Sequence, residues 1–197
     1  MTRTMLRTAL MASLLVFCAP SAKAESPQQL VDDAKASLEA ILGDANFETA
    51  RAYIGGAKAV MIVPNLIKAG LIIGGEAGTG VALVRGSDGQ WSDPAFYLLA
   101  AGSIGLQIGV ESKQILFLFM TDKAVGSIMT EQIKLGADVS VTAGNLGGGA
   151  LDGALIKPLA DTNEAYYAKP VTPKQILMQR RVSNAGAVAL QEALARY

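Results

Sequence analysis

The 197-residue sequence contains no histidine and one cysteine, Cys18. Without imidazole there is no Ser-His-Asp or Cys-His centre, and the commonest zinc sites lose their usual ligand. Charge is scarce as well: 17% of residues are Asp, Glu, Lys or Arg, against 51% hydrophobic. That balance is the opposite of a disordered chain. Long apolar runs are also missing, since none approaches the ~20 residues that a spanning helix needs. The length suits one domain with a sizeable core.

What is present begins with a leader. Arg3 and Arg7 precede an apolar stretch over 9–19, and Ala22-Lys23-Ala24 forms an A-x-A cleavage site. This pattern is a secretory signal peptide, with export to the periplasm or medium expected after cleavage near Ala24. Residues 25–197 then form the single expected domain. A lipoprotein anchor on Cys18 is the weaker reading, because Phe17 stands where such sites want a small residue. Removing the leader takes Arg3, Arg7 and Lys23, so Lys+Arg falls from 17 to 14 against 17 acids, a net charge of −3. The remaining chain has no thiol and hence no disulfide. A basic nucleic-acid binder is not indicated, and any attraction to anionic lipid must be local.

Ser26-Pro27-Gln28-Gln29 predicts a capped helix start, with Gln29 completing a capping box. Leu30, Ala34, Leu38 and Ile41 share a helical face that reads as a lid over the core, rather than as a membrane-surface helix with acids on its polar side. Asp44 caps a second short helix carrying Phe47, Ala50 and Ile54. Strands are expected over 59–63 (stopped by Pro64), 66–73, 81–85, 95–101, 103–110 and 114–120. Asp88-Gly89 marks a hairpin into Trp91, and Glu111-Ser112-Lys113 a turn. A helix over 123–134 follows, capped by Thr121 or Asp122, then strands over 138–143 and 150–156 separated by the glycine-rich 144–149. The polar 161–167 reads as a turn. Thr172-Pro173 with Gln175 starts another helix, and Ser183 or Asn184 the last, with Val188, Leu190 and Leu194 on its inner face. Together these predict an α+β fold: a curved antiparallel sheet or barrel-like β core with N-terminal, middle and C-terminal helices.

The glycines of 74–80 lack the Lys-Ser/Thr of a phosphate loop and the G-x-G-x-x-G order of a dinucleotide fold, so they read as places of close strand packing. Asp138, Asp152, Asp161 and Glu164 match no calcium-loop spacing and flank turns, where acids are ordinarily solvated. No metal or other cofactor is called for, and no catalytic residue is assigned. Lys58, Lys68, Arg85 and Lys113 stand at or beside strand ends; they are either scattered solvated cations or a patch meeting a phosphate headgroup.

The segments KAVMIVP, GGEAGTGVALVR and GQWSDPAFYLLAAGSIGLQIGVESKQILFLFM closely resemble the bacterial branch of the SYLF domain family, as do KLGAD and NEAYYAKPVTPKQIL. Gly75, Gly78, Gly80, Trp91, Ser92, Pro94, Phe96, Gly105, Gln107 and Gly109 occur in family order. The resemblance implies a non-enzymatic domain whose partner is a phospholipid or membrane surface; the alternative reading is a structural or protein-interaction module of the cell envelope. Eukaryotic members are lipid-binding and actin-regulating; actin is not carried over to an exported protein. One departure stands out. Relatives place a Ser-Arg-x-Gly-Leu-Phe-like segment between the strands matching 138–143 and 148–156, whereas here Asn145-Leu146-Gly147-Gly148-Gly149 joins them almost directly.

Overall fold

A computed structural model describes residues 25–70, 73–104, 109–130, 132–135, 142–143 and 153–197. The leader therefore lies outside the described residues, as do Asp138, Asp152 and the 144–149 segment. The elements in chain order are α1 (Pro27–Gly43), α2 (Glu48–Ile54), β1 (Ala59–Gly70), β2 (Ile73–Val84), β3 (Ala95–Ile104), β4 (Gly109–Phe119), α3 (Asp122–Ser127), β5 (Ile133–Lys134), β6 (Thr142–Ala143), β7 (Leu155–Pro158), α4 (Ala160–Tyr167), α5 (Pro173–Leu177) and α6 (Val188–Leu194). The strands make one antiparallel sheet in the order β5-β7-β3-β2-β1-β4-β6. The fold is α+β with a curved antiparallel sheet, as expected.

Alternation along the central strands feeds two separate cores. Val60, Ile62, Val81, Leu83, Phe96, Leu116 and Leu118 face α1 and α6, meeting Leu38, Ile41, Leu190 and Leu194. Met61, Val63, Leu66, Tyr97, Leu99, Ile115 and Phe117 face the other way, against Val125 and Ile128 and against Ile176 and Leu177 of α5. Each fully buried side chain of this size contributes roughly 1.5–3 kcal/mol. Such two-sided burial is why the strands read as continuous apolar runs. α1 is a lid on the sheet, with Leu30, Val31, Ala34, Leu38, Ile41 and Leu42 all buried.

Several boundaries differ from the sequence expectation. Pro64 does not end β1. The strand runs on through a bulge at Pro64-Asn65, where β1 uses one more residue than either neighbour: its register shifts between Ile62 and Ile67 against β2, and between Val63 and Leu66 against β4. A proline, lacking an N–H, is tolerated where the ladder is already interrupted. Opposite the bulge, β2 comes so close that a Cβ on Gly78 or Gly80 would lie 2.5 Å from the carbonyl oxygen of Asn65 or Ile62 respectively. Gly78 and Gly80 of β2 thus serve close strand packing.

Glu111-Ser112-Lys113 is likewise strand and not turn, because Glu111 pairs opposite Lys68 and Ser112 opposite Ile67. The helix expected over 123–134 stops at Ser127, after which Ile133 enters the sheet edge. Gly126 and the β-branched Ile128, Thr130 and Ile133 favour this early end. The polar 161–167 is helical: Asn163, fully buried, accepts from Phe96 N and donates to the Phe96 and Leu159 carbonyls, so tertiary bonds override weak propensity. Ser26 caps α1 as expected, but Gln29 donates to Asp33 instead of closing a capping box. Thr172 and Gln175 do close one on α5. Val188 is 47% exposed, so the inner face of α6 is Leu190, Ala193 and Leu194.

Candidate functional site

The four cations singled out in the sequence do not converge. Lys58 immediately precedes β1 and Lys68 lies near its far end, and at about 3.3 Å rise per residue the two are about 30 Å apart. Arg85, just beyond β2, joins Lys58 at one end; Lys113 joins Lys68 at the other.

At the Lys58 end, α2 stops at Ile54 and Gly55-Gly56 turns the chain into β1. Arg85 donates to the Gly55 carbonyl at 2.7 Å, covering the end of α2, and its guanidinium lies 4.5 Å from the Trp91 ring centroid. Its buried Nε has no hydrogen-bond partner. The hairpin after β2 turns through Asp88-Gly89, with Gly89 at φ +77, as the sequence predicts. This hairpin holds Arg180, which reaches Asp88 at 2.7 Å and donates to the Gln90 carbonyl at 2.6 Å. A Cβ on Gly86 would meet the Arg180 guanidinium and the Asp88 carboxylate, so glycine there leaves room for this pair.

Lys58, Arg85, Arg180, Asp88 and Asp122 line a cleft of about 730 Å³. Lys58 pairs with Asp122 at 2.6 Å, with 45% of the lysine side chain and 89% of the aspartate exposed. The Arg180 guanidinium, hydrogen-bonded to the exposed Asp88 carboxyl, holds it below the usual carboxylate range. Three cations against two acids leave one positive charge in excess. Two exposed methionines stand at this cleft: Met178 lines it and is 56% exposed, and Met120, 37% exposed, lies beside Gly56 of its lining. Exposed Met side chains on a cationic rim can meet an apolar or amphiphilic partner by re-packing.

At the other end Lys68 is committed. It lies 3.4 Å from Glu76, whose side chain is 2% exposed and whose second oxygen has no partner. Lys113 lies 3.8 Å from Glu111 and lines a groove of about 690 Å³ between α1 and the bulge. That groove is acidic, with Glu25, Asp33 and Asp44 on its wall; burial, and then the neighbouring Asp33, push the Glu25 carboxyl up. Asp161 and Glu164 lie exposed on α4. Among the described residues no cluster of acids, cysteine or histidine is arranged to hold a metal, and no helix is long and apolar enough to cross a membrane.

Sequence reasoning missed Arg180. Its signal was the Gln179-Arg180-Arg181 run, but nothing local connects that run to a hairpin some ninety residues earlier.

The Ysc84 family model, described as Las17-binding protein actin regulator, matches residues 100–151 and 146–197. The chain belongs to the Ysc84, or SYLF, family. It is 30% identical to Protein YSC84 of Saccharomyces cerevisiae, over 63% of this chain and 32% of the relative, and 30% identical to LAS seventeen-binding protein 3 of the same species, over 63% and 33%. The human SH3 domain-containing YSC84-like protein 1 is 26% identical over 72% and 49%. This SYLF chain thus spans a third to a half of the length of these relatives. No solved structure matches it. The alignment to Protein YSC84 has 153 positions, whereas 63% of 197 residues is about 124, so some 29 positions have no residue here. The two family matches overlap at 146–151, which takes in part of the 144–149 segment that the sequence reads as shortened.

Proposed function

We propose that this SYLF chain is an exported, non-enzymatic domain that binds anionic phospholipid at the cationic end of its sheet. The observation that carries this reading is the combination of Lys58, Arg85 and Arg180 in one open cleft with the exposed Met178 on its rim. The cations meet headgroup phosphate and the rim enters the interfacial region, while Lys68 and Lys113 take no part. With a net charge of −3 after leader removal, binding depends on this local patch and weakens as salt screens it. Export rests on the leader at 1–24, and the exported protein begins at Glu25.

Vesicle sedimentation tests the reading. Lys58→Glu with Arg180→Glu lowers the bound fraction on phosphatidylglycerol vesicles by about tenfold or more, and Met178→Asp lowers it less, because each interfacial basic residue is worth about 1 kcal/mol. Arg85 is left in place because it also closes α2. Binding that is unchanged in these variants, or absent at every lipid composition, sinks the proposal. The second outcome favours a protein-interaction module of the envelope, the class to which the name of the yeast Las17-binding relative points.

A further inference from the structure

Arg180 also lines a second, smaller cleft, of about 330 Å³, with Tyr167, Lys169, Arg181, Val182 and Ser183. No carboxylate is among its lining residues. This sets it apart from the first cleft, whose Lys58 and Arg180 each face an aspartate. Lys169 and Arg181 are exposed, and among the described residues neither side chain has a hydrogen bond or an ion pair. Tyr167 donates to the Pro94 carbonyl at 2.7 Å, and Arg180 is held by Asp88 and Gln90. The donors left for a ligand are therefore the Lys169 ammonium, the Arg181 guanidinium and the Ser183 hydroxyl.

The backbone is shaped around the same place. Ala168, just after α4, has φ +55, and Arg180, just after α5, has φ +47; they are the two non-glycine residues with positive φ among the described residues. Glycine would take either turn without strain, but it would bring no guanidinium to position 180. The turn after α5 is fastened by Gln179 N to the Lys174 carbonyl at 3.0 Å and by Arg181 N to the Gln175 carbonyl at 2.9 Å. Helix C-termini attract cations, which accounts for one charge near each helix end. It does not account for Lys169 and Arg181 both lining one small cleft without a carboxylate partner among the described residues, while Arg180 beside them is already paired with Asp88.

We propose that this cleft binds a compact dianion of the phosphate-monoester class, gripped by Lys169, Arg181 and the Ser183 hydroxyl. Two unpaired cations match two negative charges, whereas a phosphodiester offers one charge and carries two arms. The same chemistry comes from a free phosphate or from a lipid whose headgroup is a phosphomonoester. The site shares Arg180 with the vesicle-binding cleft, but its donors Lys169, Arg181 and Ser183 lie outside that cleft's lining.

Calorimetric titration of the full chain with inorganic phosphate, alongside sedimentation on phosphatidic acid and phosphatidylglycerol vesicles, tests this. The expected result is saturable phosphate binding that falls about tenfold or more in Lys169→Glu/Arg181→Glu and is largely kept in Arg181→Lys, since a charge-assisted contact is lost in one and retained in the other. Thermal melts unchanged in both variants show that the fold is intact, as exposed positions predict. Phosphate binding with no preference for phosphatidic acid assigns the site to a soluble anion. A preference for phosphatidic acid that the double variant loses assigns it to a lipid. The proposal is overturned if neither phosphate nor phosphatidic acid is preferred, or if the double variant binds like the wild type. In either case loss of phosphatidylglycerol binding in Lys58→Glu, with the shared Arg180 left in place, still supports the rim, so the two readings fail separately.

Discussion

The two ends of the long hairpin β1–β2 carry similar charges and use them oppositely. At the Lys58 end, Lys58–Asp122 and Arg180–Asp88 are ion pairs between exposed side chains, open to water and to a competing anion. At the other end, Lys68 is turned against a carboxylate that is 2% exposed. Exposed pairs contribute little to stability, and their partners exchange at small cost. A pair with a buried member is different, because removing one charge strands the other away from water. The same residue types at the same kind of position, a strand end beside glycines, are therefore available for binding at one end and structural at the other.

The sharpest way to break this comparison is to remove Lys68. Lys68→Ala leaves Glu76 buried without its cation, and the expected loss is about 3 kcal/mol, read from the midpoint of urea unfolding. Replacing both residues, as in Lys68→Met/Glu76→Leu, recovers most of that loss, since well-packed apolar substitutes of similar volume often equal a buried pair. If Lys68→Ala unfolds at the wild-type midpoint, the two ends are equivalent and the argument for treating Lys68 as structural is lost.

How far the sequence exposed this division depends on the range of the interactions. The apolar runs 59–63 and 114–120 were legible because both faces of those strands are buried, and the caps at Ser26, Thr121, Thr172 and Asn184 were legible because capping is local. Pro64 and Glu111-Ser112-Lys113 misled because they look like breaks, and only the register against neighbouring strands shows the ladder carrying on around them. α4 was hidden for a related reason, as Asn163 is helical through bonds to β3 and not through propensity. Lys58 and Arg85 could be named as strand-end cations. That Lys68 would be taken by Glu76, and that Arg180 would join the first pair, depended on contacts between distant segments.

Gly80 lies between the two ends and tests whether the bulge is what separates them. Its absent side chain lets the Ile62 carbonyl come close, and a backbone atom cannot rotate away as a side-chain tip can. Gly80→Ala is expected to cost about 2 kcal/mol through forced backbone shifts. The far half of the hairpin should loosen first, giving faster amide exchange over the described residues 67–70 and 73–77 than over 59–63. Uniform acceleration along β1 would mean that the bulge does not divide the sheet into two mechanical units.

The smallest effect is expected where the charge is most visible. Lys58→Gln removes a 2.6 Å ion pair, yet nearly half of the lysine side chain and most of Asp122 are in water. The stability change should stay within about 0.5 kcal/mol, because the Coulomb gain of an exposed pair is offset by the entropy of holding two side chains together. Asp122 also begins α3, where a carboxylate is favoured by the helix dipole even without its lysine. The informative comparison is therefore between two assays of one variant. Lys58→Gln should leave the unfolding midpoint almost unmoved while weakening vesicle binding, whereas Lys68→Ala should do the reverse in any fraction that remains folded. A loss of stability in Lys58→Gln as large as in Lys68→Ala would show that the short distance, and not the burial, decides what an ion pair is worth in this fold.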